Sequence, residues 1–145
     1  MSADDSVDLR GARVLVIDDS KTIRRTTEGL LTKAGCEVRT AQDGFEALGK
    51  IVEFQPDLVF VDIMMPRLDG YHTCALIKAN AALRHTPVVM LSSKDGLFDR
   101  AKGRLVGAEL YLPKPFTGEE LLDAVRRYLR RDLRRVEAVP PAPPQ

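Results

Sequence analysis

The sequence predicts an α/β protein in which a doubly wound parallel sheet of five strands is wrapped by five helices. Two observations support this prediction. Short runs rich in Val, Leu and Ile alternate with amphipathic stretches along the 145 residues, and the connections between them are short. Some runs are apolar at almost every position, as expected of strands that are covered on both faces. The chain length suits one domain with a real core and leaves little room for a second.

The first strand and helix can be placed from their boundary residues. A run at residues 13–17 is a strand candidate, and Ser20 after it has the side chain of a helix N-cap. Gly35 is well suited to end the helix that Ser20 begins. The apolar positions of this helix fall on one stripe and are Ile23, Leu30, Leu31 and Ala34.

The later elements continue the alternation. The second strand is predicted at 36–41, and Asp43-Gly44 turns into a helix that Pro56 closes. This helix carries Phe45, Leu48, Ile51 and Val52. The remaining predictions are a strand at 58–61, a loop at 66–70, a helix at 70–80, a strand at 87–91, a helix at 95–106 and a strand at 109–112. Thr117 caps the last helix, with Glu119 and Glu120 in its first turn, where the helix dipole favours acids.

Three segments follow from this pattern. Residues 1–10 are predicted to be a flexible N-terminal segment, and residues 11–135 to be the folded domain. Residues 136–145 form a tail with four prolines, which we expect to be disordered or extended because it has nothing to pack.

Composition restricts the classes of function. The 22 basic and 21 acidic residues nearly cancel, so overall charge indicates no attraction to nucleic acid or to a membrane surface. No apolar run approaches the roughly 20 residues needed to cross a bilayer, and the acidic N-terminus has no signal-peptide core. We therefore expect a cytoplasmic protein, in which Cys36 and Cys74 are free, buried thiols.

Acidic residues stand at the ends of two predicted strands. Asp18 and Asp19 follow the first strand, and Asp62 ends the third. If these strands are neighbours in a parallel sheet, three carboxylates meet at one edge and repel one another. Such a cluster needs a divalent cation, a shifted protonation state, or both.

Two further strand ends complete a set suited to phosphoryl transfer. Ser92 follows the fourth strand and Lys114-Pro115 the fifth. Asp62 can attack phosphorus to form an acyl phosphate, while the hydroxyl and the ammonium stabilise the phosphoryl oxygens. Hard oxygen ligands suit Mg²⁺. Each residue taken singly has an ordinary explanation as a solvated acid, a helix cap or a surface lysine; their joint order along the chain carries the prediction.

The motifs that hold these residues resemble those of the receiver domain of two-component response regulators. They are Val-Ile-Asp-Asp-Ser at 16–20, Val-Asp-Ile-Met-Met-Pro-Arg-Leu-Asp-Gly at 61–70, Leu-Ser-Ser at 91–93 and Lys-Pro-Phe at 114–116. The resemblance covers residues 11–131. It implies a flavodoxin-like (βα)5 fold with strand order 2-1-3-4-5. It also implies that Asp62 is the phosphoacceptor for a sensor histidine kinase in a phosphorelay.

The same resemblance implies roles for the other site residues. Asp19 and Asp62 would hold Mg²⁺ with the backbone carbonyl of Met64, and Asp18 would act mostly through a bound water. Lys114 would contact the phosphoryl oxygens, and the bond between Lys114 and Pro115 would be cis. The hydroxyl of Ser92 and the ring of Tyr111 would form the switch that responds to phosphorylation.

A narrower resemblance is to stand-alone, chemotaxis-like regulators of type IV pili, which serve twitching motility. It rests on the segments 18–25, 63–71, 73–78 and 91–99. It implies a chemotaxis-type histidine kinase and a protein effector, such as the pilus machinery, on the face of helix 4, strand 5 and helix 5. The last helix also carries a basic face, which is either simply solvated or a docking surface for an acidic partner. That face contains Arg126, Arg127, Arg130, Arg131, Arg134 and Arg135.

Other functions remain open at this point. A stand-alone receiver can deliver a signal or serve as a phosphate sink for its kinase, and the sequence does not separate these roles. A phosphohydrolase that passes through an aspartyl phosphate is disfavoured, because such enzymes commonly place an acid two residues after the nucleophile, where this chain has Met64. A cap insertion for substrate is also missing. A degenerate receiver that binds without phosphorylation is disfavoured by the intact acids, Ser92 and Lys114.

Overall fold

The computed structural model describes residues 8–92 and 97–138. Most of the predicted N-terminal segment, and residues 139–145 of the predicted Pro-rich tail, lie outside the described residues. The last helix continues to Ala138 and so includes the first three residues that were assigned to the tail.

In the described part of the chain, five strands alternate with five helices, and the predicted elements are confirmed; apart from the end of the last helix, their boundaries shift by at most two residues. In chain order they are β1 (Arg13–Ile17), α1 (Lys21–Lys33), β2 (Glu37–Ala41), α2 (Gly44–Phe54), β3 (Leu58–Asp62), α3 (Gly70–Ala79), β4 (Val88–Ser92), α4 (Leu97–Leu105), β5 (Leu110–Pro113) and α5 (Gly118–Ala138).

The strands form one parallel sheet in the order β2-β1-β3-β4-β5, which confirms the predicted doubly wound topology. In the register of the sheet, Ile17 pairs with Val61, Asp62 with Leu91, and Ser92 with Pro113. The carboxyl ends of β1, β3, β4 and β5 therefore lie at one edge. From β1 the chain passes to β2 on one side, whereas β3, β4 and β5 follow on the other side, so the strand order switches between β1 and β3. Open α/β sheets place their sites at such a switch point.

The core consists of two layers, one on each face of the sheet. Alternate residues of β1, β3 and β4 point to opposite faces, so nearly every residue of these strands is buried. Val14, Val16 and Phe60 pack in the layer that α1 and α5 cover. Leu15 and Ile17 pack in the layer that α2 and α3 cover. Each fully buried Leu or Ile contributes about 1.5 to 3 kcal/mol of transfer free energy, so this core stabilises the strands whose ends carry the site.

Side-chain caps begin four of the helices, α1, α2, α3 and α5, each of which follows a strand. Ser20 Oγ accepts a hydrogen bond from the N–H of Ile23, which confirms the predicted cap. Asp43 and Asp69 cap α2 and α3 in the same way. At α5, the cap is reciprocal: Thr117 Oγ1 accepts from the N–H of Glu120, and the Glu120 carboxylate accepts from the N–H of Thr117. The positive ends of these helix dipoles therefore lie at the same edge as the acidic strand ends.

The helix surfaces differ in part from what the apolar pattern suggests. On α2, Ile51 is fully buried, whereas Phe45 and Val52 remain 58% and 64% exposed. On α1, Leu31 is the member of the predicted stripe that is fully buried. On α5, Val125, Tyr128 and Leu129 are buried.

Both cysteines are buried and free, as predicted. Burial raises the pKa of the Cys36 thiol to about 11, and burial also raises the pKa of the Cys74 thiol to about 11. Neither thiol is therefore activated as a nucleophile. Within the residues that the structure describes, no helix is long and apolar enough to cross a membrane.

Candidate functional site

Three carboxylates meet at the carboxyl edge of the sheet. Asp18, Asp19 and Asp62 each offer an oxygen, and these oxygens all lie within 4.8 Å of one another. Asp18 is fully buried and Asp62 is 5% exposed, while Asp19 faces solvent. The predicted cluster therefore exists, with Asp18 and Asp62 buried in the protein and Asp19 exposed at the surface.

Asp18 is held by backbone contacts on three sides. Its N–H donates to the carbonyl of Ala41 at 3.1 Å, which ties the end of β1 to β2. Its Oδ1 accepts from the N–H of Ser20 at 2.9 Å, so the residue that caps α1 also orients the carboxylate. Arg24 donates from Nη1 to the Asp18 carbonyl at 2.7 Å. Sequence reasoning missed Arg24, because a contact between its side chain and the backbone six residues earlier has no sequence signature.

The backbone around Asp62 is fixed by a close approach from α3. The N–H of Ile63 donates to Leu91 on β4 at 2.9 Å, and the N–H of Gly70 donates to the Ile63 carbonyl at 3.0 Å. A Cβ on Gly70 would overlap the Asp62 carbonyl oxygen and lie 2.7 Å from Ile63 Cα. The β3–α3 loop can return this close to the strand because residue 70 has no side chain.

Lys114 reaches across the sheet from the end of β5. Its Nζ lies 2.7 Å from Asp18 Oδ2 and 3.4 Å from Asp62 Oδ1, and its side chain is 16% exposed. Its N–H donates to the carbonyl of Ser92 at 2.6 Å, and the Lys114–Pro115 peptide bond is cis. Burial opposes the lysine charge, but the hydrogen bond to Asp18 and the two carboxylate charges outweigh it, and the pKa of Lys114 is raised.

The electrostatics of the cluster make ionisation of Asp62 less favourable than in water. Burial raises the pKa of Asp62 from its usual 3.8 to about 6, and the charge of Asp18 adds to this rise. Lys114 and the N–H of Met64, which donates to Asp62 Oδ1 at 3.4 Å, act in the opposite direction. Among the described residues, three carboxylates face a single ammonium. The cluster can therefore carry a net negative charge, which a bound cation would compensate.

Of the two predicted switch residues, Ser92 lies at the same sheet edge as this cluster, whereas Tyr111 lines a separate cleft with Met90 and Gly103. Ser92 ends β4 and is 1% exposed. It lines a cleft of about 460 Å³ with Met64, which is 53% exposed, and with Lys102 of α4. Lys102 Nζ stands 4.5 Å from the centroid of the Tyr71 ring, a contact that the sequence did not suggest. Tyr111 on β5 is half-buried and pairs in register with Met90.

The arrangement suits an acid that receives a phosphoryl group. It combines a carboxylate at a strand end, a neighbouring ammonium, two further acids and a buried hydroxyl. The fold and site together thus have the architecture of a phosphoacceptor domain.

The comparison with known families agrees with this class. A family model described as the response regulator receiver domain matches residues 14–126. The chain belongs to this family: it is a receiver domain of a two-component response regulator.

Individual relatives narrow the comparison. The chain is 66% identical to Protein PilG of Pseudomonas aeruginosa over 119 residues, which cover 82% of this chain and 88% of that protein. It is 42% identical to Response regulator MprA of a Mycobacterium species, again over 82% of this chain but only 51% of MprA. Among solved structures, chemotaxis protein CheY4 of Vibrio cholerae matches 81% of this chain and 98% of its own, with 36% identity and a TM-score of 0.79.

Proposed function

We propose that this chain is a phosphorylation-dependent switch in which Asp62 accepts a phosphoryl group from a chemotaxis-type histidine kinase and thereby changes the binding of a protein effector. The observation that carries the proposal is the buried Asp62 carboxylate within reach of Lys114, beside Asp18 and Asp19. The resemblance to regulators of type IV pili and the 66% identity to Protein PilG support a role in twitching motility. We do not assign an enzyme activity toward other substrates.

The acidic cluster fits a divalent cation, and Mg²⁺ suits its oxygen donors. Asp19 and Asp62 would hold the ion with the Met64 carbonyl, and Asp18 would bind it through water. The raised pKa of Asp62 supports this assignment, because the ionised carboxylate lacks sufficient compensating charge from protein groups. When bound, Mg²⁺ would supply charge that neutralises the phosphoryl oxygens.

The protein groups have distinct parts in the transfer. A carboxylate oxygen of Asp62 forms the new bond to phosphorus, while the bond from phosphorus to the donor breaks and the donor keeps its electron pair. Lys114 compensates the charge on the phosphoryl oxygens, and its contact with Asp18 holds it in place beforehand. Ser92 donates a hydrogen bond to the phosphoryl group, and Tyr111 moves inward behind it. Phosphorylation thus favours a minor conformation that already exists.

The effector surface is proposed to be the face of α4, β5 and α5. Tyr111 lies on β5 between these helices, so its position can be read by a protein bound there. A phosphate sink for the kinase remains the alternative role for the same chemistry. Capture of a partner by the phosphorylated form, but not by the unphosphorylated form, would favour the switch.

The proposal is tested by the intact mass of the protein after incubation with Mg²⁺ and a small phosphoryl donor. We expect one phosphoryl adduct that requires Mg²⁺ and is absent from the Asp62→Asn variant. The conservative Asp57→Asn variant serves as a control, because Asp57 lies at the opposite end of β3 and caps the N–H of Arg13. Absence of an adduct from the wild-type protein would contradict the proposal.

Ser92→Ala is expected to keep phosphorylation but to weaken partner binding. The substitution removes a buried hydroxyl without removing any acid or Lys114. We expect the phosphorylated variant to bind its effector at least about fivefold more weakly than phosphorylated wild type, which corresponds to about 1 kcal/mol. Equal affinities of the two phosphorylated proteins would exclude a switching role for Ser92.

Met64→Asn is expected to shorten the lifetime of the phosphorylated protein. Met64 follows Asp62 by two residues and lines the cleft beside Ser92, where its apolar side chain cannot orient a water for hydrolysis. The side-chain amide of an asparagine at this position can orient such a water by hydrogen bonding. The measurement is the decay of the phosphorylated protein by mass, and a wild-type decay as fast as that of the variant would refute the prediction. Lys94, a second position that tunes lifetime in this family, lies outside the described residues.

A further inference from the structure

An ion pair between Lys78 and Glu109 ties α3 to the start of β5. The Lys78 Nζ lies 2.9 Å from Glu109 Oε2, and the two side chains are only 16% and 30% exposed. The Lys78 ammonium also donates to the carbonyls of Arg84 and Thr86, at 3.2 and 2.7 Å, in the loop between α3 and β4. A largely buried pair whose members make further hydrogen bonds is much harder to break than a surface pair.

Glu109 extends this connection to β4 and α5. Its Oε1 accepts from the N–H of Val88 at 2.8 Å, and its own N–H donates to the carbonyl of Val88 at 2.9 Å. The carbonyl of Glu109 accepts from the hydroxyl of Tyr128 on α5 at 2.9 Å. One residue thus joins β4, α5 and, through Lys78, α3. We call Lys78 and Glu109 the α3–β5 anchor.

The carboxyl end of α4 is held at the same place. The N–H of Gly107, a residue with a φ of +94°, donates to the carbonyl of Arg104 at 3.0 Å and closes the helix. A Cβ on Gly107 would lie 3.0 Å from Lys78 Cγ, so the chain passes directly over the lysine stem. The carbonyl of Val106 accepts from the Cys74 thiol of α3 at 3.5 Å. The end of α4 is therefore fixed to α3 by both packing and hydrogen bonding.

The preceding turn of α4 is held to α3 much more weakly. Lys102 is exposed, and its Nζ stands 4.5 Å from the centroid of the Tyr71 ring. Both residues line the cleft of about 460 Å³ that also reaches Ser92. A cation–π contact of an exposed lysine is weak, because water competes for the ammonium. The attachment of α4 to α3 is therefore strong at the carboxyl end of the helix and weak one turn earlier.

We propose that the α3–β5 anchor makes the carboxyl end of α4 a fixed pivot, so that phosphorylation of Asp62 displaces the amino half of this helix and leaves its last turn in place. The inference rests on the proposed function, in which Ser92 bonds to the phosphoryl group. In chain order, Ser92 comes shortly before Leu97, the first residue of α4, so its movement reaches the helix at the amino end. The contact between Lys102 and the Tyr71 ring is weak enough to yield to this movement.

The face of α4, β5 and α5 then has one part that changes and another that does not. Tyr111 is two residues from Glu109 and pairs in register with Met90, so its backbone stays in place and its ring alone moves. Leu105, which is 87% exposed in the last turn of α4, presents the same surface in both states. An effector therefore distinguishes the phosphorylated form at the amino half of α4 and at the Tyr111 ring.

The test compares backbone amide chemical shifts of the full 16.1-kDa chain, measured by NMR in Mg²⁺ with and without a small phosphoryl donor. In wild type, we expect phosphorylation to shift the amides of residues 101–103 and to leave those of residues 106–109 nearly unchanged. Lys78→Met keeps an unbranched stem beside Gly107 but removes the charge. In this variant, the shifts of residues 106–109 should be at least about threefold larger than in wild type, because the pivot is released.

Lys50→Met is the matched control. The Lys50 ammonium also lies near a carboxylate and donates to a strand carbonyl, but it belongs to α2. This variant should give the same shifts as wild type. Circular dichroism verifies the fold of each variant. If Lys78→Met does not fold, Glu109→Gln takes its place, because it removes the charge of the anchor and keeps an oxygen for the N–H of Val88.

The possible results separate the pivot from the switch. Wild-type shifts of residues 106–109 as large as those of residues 101–103, or shifts in the anchor variant equal to those in wild type, would overturn the pivot and leave the switch intact. An adduct that forms without any shift in α4 or at Tyr111 would overturn the proposed switch, and the pivot with it. The intact mass of the same sample distinguishes these results from a failure of phosphorylation, which would overturn the proposed function itself.

Discussion

Asp62→Asn is expected to raise the free energy of unfolding of the metal-free protein by about 2 to 3 kcal/mol near neutral pH. Burial, with the charge of Asp18, raises the pKa of Asp62 from 3.8 to about 6, so the ionised carboxylate is less favourable in the folded protein than in the unfolded chain. The amide of Asn has similar size and no charge. The residue proposed as the phosphoacceptor thus weakens the fold when no cation is bound.

The dependence on pH has a definite sign. Because the pKa of Asp62 is higher in the folded state, its stabilising contribution is complete below about pH 4 and is lost as the pH rises through about 6. The gain in free energy of unfolding of Asp62→Asn over wild type should therefore be absent below about pH 4. It should grow between about pH 4 and 6 and stay constant at higher pH. Urea denaturation in a chelator across this range measures the difference between the two proteins.

Two controls separate this effect from general changes in charge. Asp123→Asn removes an exposed acid from α5 and should leave the free energy of unfolding within about 0.5 kcal/mol of wild type. Mg²⁺ should stabilise wild type more than Asp62→Asn, and the difference in free energy of unfolding between the two proteins should therefore become smaller. A variant that is no more stable than wild type at neutral pH without metal would contradict the prediction.

Gly70→Ala is expected to lower the free energy of unfolding by about 3 kcal/mol or more. The new methyl group would overlap the Asp62 carbonyl oxygen and approach Ile63 Cα to 2.7 Å. Both neighbours are backbone atoms, one of Asp62 at the end of β3 and one of Ile63 directly after it, so no rotamer change relieves the clash. The strand end and the β3–α3 loop would have to separate.

The matched control for this substitution is Gly29→Ala. Gly29 lies within α1, and a Cβ there would meet nothing within 4 Å. Alanine is the better helix former, so this variant should gain about 0.5 to 1 kcal/mol. Urea denaturation of both variants measures the two effects. A Gly70→Ala protein as stable as wild type would show that the loop yields without cost.

The fold and most of the site could be predicted because their determinants are local. Ser20 and Thr117 mark helix starts through their own side-chain chemistry, and short apolar runs define the buried strands. Once the strands are parallel and their order is set, topology alone brings Asp18, Asp62 and Lys114 to one edge. No fine geometry is needed for that inference.

Other features depend on how the elements pack and could not be predicted. The apolar pattern of α2 does not reveal that Ile51 faces the sheet while Phe45 faces solvent. Contacts from Arg24 to the Asp18 carbonyl and from Lys102 to the Tyr71 ring depend on tertiary positions that sequence spacing does not encode. The close approach of Gly70 to the backbone of Asp62 could not be predicted either, because a glycine after a loop is compatible with many local structures.

The bond between Lys114 and Asp18 joins residues 96 positions apart in the chain. A nascent or truncated chain that ends after β4 would bring the carboxylates together without the ammonium that offsets their repulsion. If Lys114 acts on the phosphoryl oxygens as proposed, a fragment that lacks β5 and Lys114 would lack one of the groups needed for phosphoryl acceptance. Under that proposal, phosphorylation of Asp62 would require a chain that has been synthesised and folded at least as far as Lys114.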